Sequence, residues 1–413
     1  MIQGEIWKLI DDKAMKKIED TAFVLLTKHG VEIQHEKIFK LLIENGCKKE
    51  GDFRVYMDEK LIRNALKNSG KKVDLSVKIP HGWTPAGKLE LTGSYPHFLD
   101  WPSCERRLAT QKDYEDNIKM AHVLPDFSRV GKAMTCGGID QSIEAVWSVV
   151  KLMELTDKEL GMGEVLYPEN IKHLARLGEI YSGKPGDNRF VAPCDFCIAP
   201  LRFERRTLEC MIEKSKFKVT HVPGTMPISG ISGPVTIAGT AALALAELIA
   251  GWVIYYLLDK NIPVSGITAT GSLDMRTMRA SFGSPEAILQ NLTVVQAARR
   301  LYGIDIWPAH VYTDCKTPGI QAMVEKMMPM FCFPFEGKLS DTGGLGLLSA
   351  GQDYSPVQQF LELDIKGGVN RLLGTYEVSD RTLGLDLFEK VKKEGLKSFL
   401  DLDHTLENYK SEQ

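Results

Sequence analysis

Side chains able to do chemistry gather just after short apolar runs. The densest groups are Thr268–Arg276 and His310–Lys316, which carry Asp274, Arg276, His310, Tyr312, Asp314 and Lys316. Smaller groups hold Glu164 and Tyr167, Cys194 to Phe196, and Glu336 to Asp341. Together they offer aromatic rings (Trp101, Tyr167, Phe196, Trp307, Tyr312, Phe333, Phe335) and carboxylates (Glu164, Asp195, Asp274, Asp314, Glu336, Asp341). Rings with carboxylates suit an organic cation, above all a quaternary ammonium group with no N–H to donate. Taken singly, each has a plainer role. Trp307, Phe333 and Phe335 lie inside predicted strands, where rings pack as core. Asp195, Asp274 and Asp341 suit helix caps or turns, and Lys316 suits an ion pair. Only their concentration in one set of loops raises the functional reading.

Ready-made catalytic motifs are absent. There is no Walker loop, no G-x-S-x-G elbow and no H-E-x-x-H. Cys194 and Cys197 have C-x-x-C spacing, but on a strand the period of two puts their sulfurs on opposite faces. Cys136, His221, His310, Cys315 and Cys332 lack zinc-site spacing, so no metal is expected.

The elements that would position these loops alternate. The predicted strands are Pro96–Asp100, Ser128–Met134, Glu159–Gly163, Arg189–Pro193, Lys218–Val222, Pro263–Ile267, Ile304–Ala309 and Phe331–Phe335. Helices are predicted to start near Thr110, Asp140, Pro168, Arg202, Pro234, Ser284, Pro318 and Ser355. Pro in a first turn marks several of these starts. Eight such units in about 280 residues is the count and size of a (β/α)8 barrel, whose chemistry sits on the loops after the strands. A doubly wound sheet is the rival, and Gly137-Gly138 lacks the rest of its phosphate-loop fingerprint. The expected organisation is α/β: an N-terminal helical layer and lead-in over residues 1–95, a barrel over 96–374 and a short helical tail over 375–413.

The balance of the 413 residues fits that picture. Hydrophobic content of 44% supports a large core. A net charge of −3 gives no reason to expect nucleic acid. The first residues show no secretion signal. Val235 to Leu258 is apolar enough to raise a membrane question, but it carries Glu247 and sits among βα units. It is expected to be buried in the chain or against a second copy, so a homo-oligomer is expected and a membrane is not. Eight scattered cysteines fit a reduced cytoplasmic enzyme.

Five segments give the chain a resemblance: FLDWPSCERRLATQKDYEDNIKMAHVLPDF, FCIAPLRFERRTLECMI, ISGPVTIAGTAALALAELIAG, SLDMRTMRASFGSPEAILQNLTVVQAARRLYG and YTDCKTPGIQAMVEKM. They combine G-P-V-T-x-A-G-T, D-M-R-x-x-x-x-x-F-G-x-P-E and T-D-x-K-x-x-x-x-Q. In this combination the chain resembles the trimethylamine methyltransferase family, in its branch without pyrrolysine, from about Asp11 to Leu406. The resemblance implies a (β/α)8 barrel that moves a methyl group from a methylated amine to a cognate corrinoid protein. It implies quaternary amines such as glycine betaine, with no cofactor held tightly by this chain. Cys315 stands where the family's D-S-K pattern has Ser, and the C-terminal part is short for the family. The catalytic candidates are then Asp314, Lys316 and Glu164. Tyr167, Phe196, His221, Arg276, His310, Tyr312, Phe333 and Glu336 are the candidates for holding the small quaternary or tertiary amine. Among these, His221, His310, Arg276 or Lys316 would hold a distal carboxylate. Two alternatives stay open: a zinc-dependent barrel methyltransferase with another donor, and a non-catalytic betaine-binding or corrinoid-protein-binding module.

Overall fold

The structure is a computed structural model that describes residues 8–68, 90–91, 96–309, 311–336, 344–373, 376–400 and 402–412. Its N-terminal layer begins with helix α1 (Asp12–Val24), capped by Asp11, whose carboxylate accepts from Ala14 N at 2.7 Å. The helix closes through one wide turn at Gly30, whose φ of +77° suits glycine. Next come β1 (Val31–Ile33), α2 (Glu36–Glu44), β2 (Lys48–Glu50), β3 (Arg54–Tyr56) and α3 (Glu59–Lys67), the last capped by Asp58. This layer, expected to be helical, also contributes three strands to a small sheet.

The chain continues through β4 (Glu90–Leu91), β5 (His97–Leu99), β6 (Arg106–Leu108), α4 (Gln111–Val123), β7 (Arg129–Val130), α5 (Glu144–Leu155), β8 (Glu159–Leu160) and α6 (Glu169–Ser182). Then follow β9 (Cys194–Phe196), β10 (Arg202–Phe203), α7 (Arg205–Lys216), β11 (Val222–Thr225), β12 (Ile228–Ser229), α8 (Ile237–Asp259), β13 (Gly266–Thr268), β14 (Gly271–Asp274), β15 (Arg279–Ser281) and α9 (Pro285–Ala297). The last stretch holds β16 (Ile306–Pro308), α10 (Ile320–Cys332), β17 (Leu347–Leu348), β18 (Asp353–Tyr354), α11 (Pro356–Leu373), α12 (Asp380–Leu383), α13 (Leu385–Glu394) and α14 (Asp403–Glu412).

The fold is α/β. β9, β11, β13 and β16 pair in parallel in chain order. β4, β7 and β8 form a second parallel run, and a parallel bridge from Gly163 to Val191 carries on from it. These ladders are separate sheets among the described residues rather than one unbroken barrel wall.

Register fixes which side chains face which way. Cys194 lies opposite Val222, and Gly224 lies opposite both Phe196 and Ile267. Ile267 in turn lies opposite Trp307, so these residues share the inner face. Asp195, Pro223, Gly266 and Ile306 share the outer face, toward α7 and α8. There the packing is close: a Cβ on Gly251 of α8 would come within 2.4 Å of Pro223.

Helix α8 is the centre of the outer core. Thr236 caps it, and its residues from Thr240 to Tyr255 are all buried. It is the one helix among the described residues long and apolar enough to cross a membrane, and 83% of its most apolar window is buried inside the protein. Its coat comes from its own chain, in one hydrophobic cluster with Met15, Ile18 and Ala22 of α1 and Leu61, Ile62 and Ala65 of α3. A helix apolar on all sides must be covered all round. Since the N-terminal layer supplies that cover, α8 no longer argues for a second copy of the chain.

Several predicted strands moved. The fourth and fifth, expected at Arg189–Pro193 and Lys218–Val222, lie at Cys194–Phe196 and Val222–Thr225. The sequence Val-Pro-Gly-Thr has little intrinsic strand preference and is held by its neighbours. Pro96–Asp100 forms β5, which pairs with β18 and β6, while β4 takes the place beside β7. Phe331–Phe335 is not a strand. It is the end of α10 and a 3-10 turn.

Candidate active site

Glycine placement aims the first functional side chain. A Cβ on Gly163 would meet Ala145 O and Leu174 Cδ2, both at 2.9 Å, so position 163 is pressed against α5 and α6. Glu164, next along, takes the opposite direction. Its side chain is 45% exposed, while Lys132 and Glu144 behind it are each 4% exposed. Lys132 Nζ lies 2.6 Å from Glu144 Oε2 and 3.9 Å from Glu164 Oε2. Glu144 also accepts from Cys136 N at 3.3 Å. Burial holds the Glu164 carboxyl above the usual carboxylate range, and Lys132 opposes that rise.

Tyr312 is the second. Its ring packs on the inner-face cluster of Val222, Ile267, Ala269 and Ala309, beside Cys194 and Trp307. Phe282 tilts against it at 5.4 Å. Gly351 lies flat on its far edge, where a Cβ would come within 2.9 Å of Tyr312 Cε1. Burial, then the negative charge of Glu164, pushes the Tyr312 hydroxyl up to about 12. Phe196, 36% exposed, lays its ring across Gly224, where a Cβ would meet it at 2.7 Å. The inner face therefore carries Glu164, Tyr312, Phe196 and Trp307, backed by the Lys132–Glu144 pair.

The remaining candidates fall elsewhere. Tyr167, on the loop between β8 and α6, lies half-buried with the Arg206 guanidinium 6.0 Å from its ring centre. Asp314 accepts from Ser281 Oγ and, at 3.1 Å, from Phe282 N, so it ties the β14–β15 hairpin to the loop after β16. Burial raises its carboxyl as well. Lys316 is exposed. Arg276 is 94% exposed at the tip of the hairpin, where Asp274 caps the turn through Arg276 N and Thr277 Oγ1. His310 and the side chain of Glu336 lie outside the described residues.

Two candidates are corrected outright. His221, expected inside the fifth strand near its end, instead precedes β11, because the strand begins later than predicted. Its ring stacks on Tyr255 at 4.0 Å and its Nε2 is 3.1 Å from Ser215 Oγ, on the helix side of the sheet. Burial drops it to about 3, so it is neutral. Phe333 packs with Ile288 and Leu292 of α9, away from the inner face. Among the described residues no three His, Cys, Asp or Glu side chains gather as metal ligands would.

Sequence reasoning missed Lys132, Glu144 and Glu325. A lysine inside the apolar run Val130-Gly131-Lys132-Ala133-Met134 was the available signal, since a buried lysine needs a partner. Glu325 of α10 accepts from Thr313 Oγ1 at 2.6 Å, Asp314 N at 3.0 Å and Gln321 Nε2 at 2.6 Å. Cys315 points its sulfur at the same carboxylate, 3.9 Å away, and packs with Leu99, Ala322 and Leu348. Thus the three sequence motifs serve the architecture. One starts α8, with Thr240 Oγ1 donating to Pro234 O at 2.6 Å. The other two join hairpin to loop through Asp314 and Glu325.

The family model described as trimethylamine methyltransferase (MTTB) matches residues 3–413, and the chain belongs to that family. It is 24% identical over 413 residues to the glycine betaine methyltransferase of Desulfitobacterium hafniense (strain Y51), covering 98% of this chain and 85% of that protein. It is 22% identical over 409 residues to the trimethylamine methyltransferase MttB of Desulfitobacterium hafniense (strain DSM 10664 / DCB-2), covering 95% and 80%. The crystal structure of the Methanosarcina barkeri monomethylamine methyltransferase superposes with a TM-score of 0.60 at 13% identity, over 92% of this chain and 79% of that one. That last likeness speaks for the fold.

Proposed function

We propose that this protein transfers a methyl group from a quaternary amine of the betaine type to the cobalt of a corrinoid carried by a separate protein. The observation that carries the reading is the inner-face group of Glu164, Tyr312, Phe196 and Trp307 in a chain of this family. Rings beside one carboxylate suit a methylated ammonium head. The similarity to a glycine betaine methyltransferase favours a quaternary donor. Every residue is a standard amino acid, so no pyrrolysine is available. We further propose that the parallel runs are staves of one (β/α)8 barrel with the site at its C-terminal mouth.

The corrinoid supplies the nucleophile, so the chain need not provide one. What its residues do is hold the cation with one methyl outward, strip its water and admit the partner. Loss of positive charge from nitrogen during transfer limits how tightly carboxylates should grip it. One carboxylate with aromatic walls meets that limit better than several. Arg276 and Lys316, both exposed near the rim, are the described groups left to meet a distal carboxylate. The loops after β5, β7, β8, β11 and β14 expose Trp101, Ile143, Leu166, Met226 and Met275. Such an apolar rim fits a partner that covers the mouth. All eight cysteines are free, which fits a cytoplasmic setting.

The test is methyl transfer followed by absorbance, with reduced corrinoid protein and a panel of betaines, carnitine, choline, trimethylamine and methoxylated compounds. Conversion with a betaine-type donor is expected. Conversion only with trimethylamine, or only with a donor that is not an amine, overturns the quaternary amine. No conversion with any donor favours a binding module.

A further inference from the structure

We infer that the tip of the β17–β18 hairpin, residues Ser349 to Gly351, positions the Tyr312 ring and so sets how tightly the inner face holds a methylammonium head group, a step that rests on the reading of that face as a cation site. A backbone outlier stands beside the ring. Leu348 lies opposite Asp353, so residues 349–352 close the hairpin. Loops of that length are most often built on a type I turn, whose central residues keep negative φ. Here Ser349 and Ala350 both have φ of +54°, and Gly351 has +87°. Among the described residues other than glycine, Ser349 and Ala350 are the only sequence neighbours in the left-handed region. A Cβ there crowds the following carbonyl oxygen. Ser349 Oγ is also buried, with no hydrogen-bond partner among the described residues. Such costs persist only where the surroundings over-determine the conformation.

The surroundings are the loop that carries Tyr312. Ser349 N donates to Cys315 O at 2.7 Å, and Ala350 N donates to Thr313 O at 2.8 Å. Within the tip, Gly351 N donates to Leu348 O at 3.0 Å. These bonds set Gly351 against Tyr312, where a Cβ would come within 2.9 Å of Cε1. Tyr312 also meets Phe282, with ring centres 5.4 Å apart. A Cβ on Gly271 would in turn come within 3.0 Å of the Phe282 ring. Two rings thus stand in a row that ends on a glycine backbone at both sides. Gly271 is held in β14 by pairing with Ile228. Gly351 is held by the tip alone of these two elements, through the bonds to Thr313 and Cys315.

A ring attracts a cation through its face, so the attraction depends on where that face lies. Ser349, Ala350 and Gly351 act through Tyr312 and are positioning residues.

The test uses the full-length protein, calorimetric titration with tetramethylammonium and thermal melts. Gly351→Ala drives a methyl into the Tyr312 ring and should weaken binding about tenfold. In a Tyr312→Leu background the same substitution should change affinity less than about twofold, because the ring it displaces is gone. Ala350→Gly adds no atom and decides the matter if Gly351→Ala fails to fold. It frees the tip from the narrow left-handed well, so binding should weaken about threefold while the melting temperature stays within about 2 °C of wild type. Ala350→Asn, a residue that tolerates left-handed backbone, should bring affinity back toward wild type. Wild-type affinity in folded Gly351→Ala, or in Ala350→Gly, overturns the inference and leaves the cation site standing. So does an equal loss with and without the Tyr312 ring. If wild-type protein binds no tetramethylammonium, the cation site itself falls, and the inference with it.

Discussion

Two lysine–carboxylate pairs stand on opposite faces of this protein. On the outer face Lys214 of α7 meets Asp195 at 2.9 Å, with side chains 1% and 4% exposed. Lys214 also donates to Cys194 O at 2.9 Å, and Tyr255 donates to the second Asp195 oxygen. Every acceptor there is used. On the inner face Lys132 stands 3.9 Å from a Glu164 that is 45% exposed. The same two chemical groups make a rivet in one place and an open site in the other. What separates them is direction: β9 turns Asp195 toward the helices, while Glu164, one residue beyond a Gly163 pressed against α5 and α6, faces inward. A buried pair fully matched by hydrogen bonds does structural work, while a carboxylate that solvent reaches can also be reached by a ligand.

That contrast can be broken by experiment. The largest effect is expected from Lys214→Met, which leaves Asp195 buried without its cation. A loss of about 3–5 kcal/mol is expected by chemical denaturation, and a loss near zero would erase the distinction. Second is a pH slope from Glu247, another outer-face carboxylate, which accepts from Leu201 N at 2.9 Å and Thr225 Oγ1 at 2.6 Å. Burial raises it to about 7. The native state therefore holds its proton above the pH at which the unfolded chain has lost it. Its stabilising contribution is full below about 4.5 and falls away as pH rises toward 7, by about 3 kcal/mol in all. Glu247→Gln should flatten that slope in denaturation curves across the range.

Third is Glu164→Gln. Methyl transfer should fall about tenfold or more, while stability changes by less than about 1 kcal/mol, as expected of a half-exposed group. A large stability loss with intact transfer would place Glu164 with the rivets. The smallest effect sharpens the picture of the aromatic wall. Gly224→Ala drives a methyl into the Phe196 ring, so about 1 kcal/mol of stability and a few-fold loss of donor affinity are expected. Calorimetry with the donor and thermal melts would check both.

The sequence made some of this legible and hid the rest for physical reasons. Helix starts at Asp58, Thr110 and Ser284 were readable because a cap is local chemistry between residues three apart. Glu164 and Tyr312 were readable as loop residues after strands. Strand positions were not, because the parallel strands are two to four residues long and one is Val-Pro-Gly-Thr. A slip of four residues there turned His221 from a core ring into an apparent ligand. It also left Asp195 looking like a loop residue. Phe333 was misread because an apolar run at the end of a helix looks like a strand. Lys132 and Glu144 were missed because they are 12 residues apart and meet only in the fold.

Helix α8 has a consequence for how the chain is made. A ribosome delivers the N-terminal layer well before it delivers Ile237–Asp259. By the time that greasy segment emerges, α1 and α3 already exist to receive it. A circular permutant that placed residues 8–68 after α8 would keep the same residues and change only their order. It would also expose an apolar 23-residue helix to chaperones and membranes during synthesis. The order in which this protein is written is thus part of its protection.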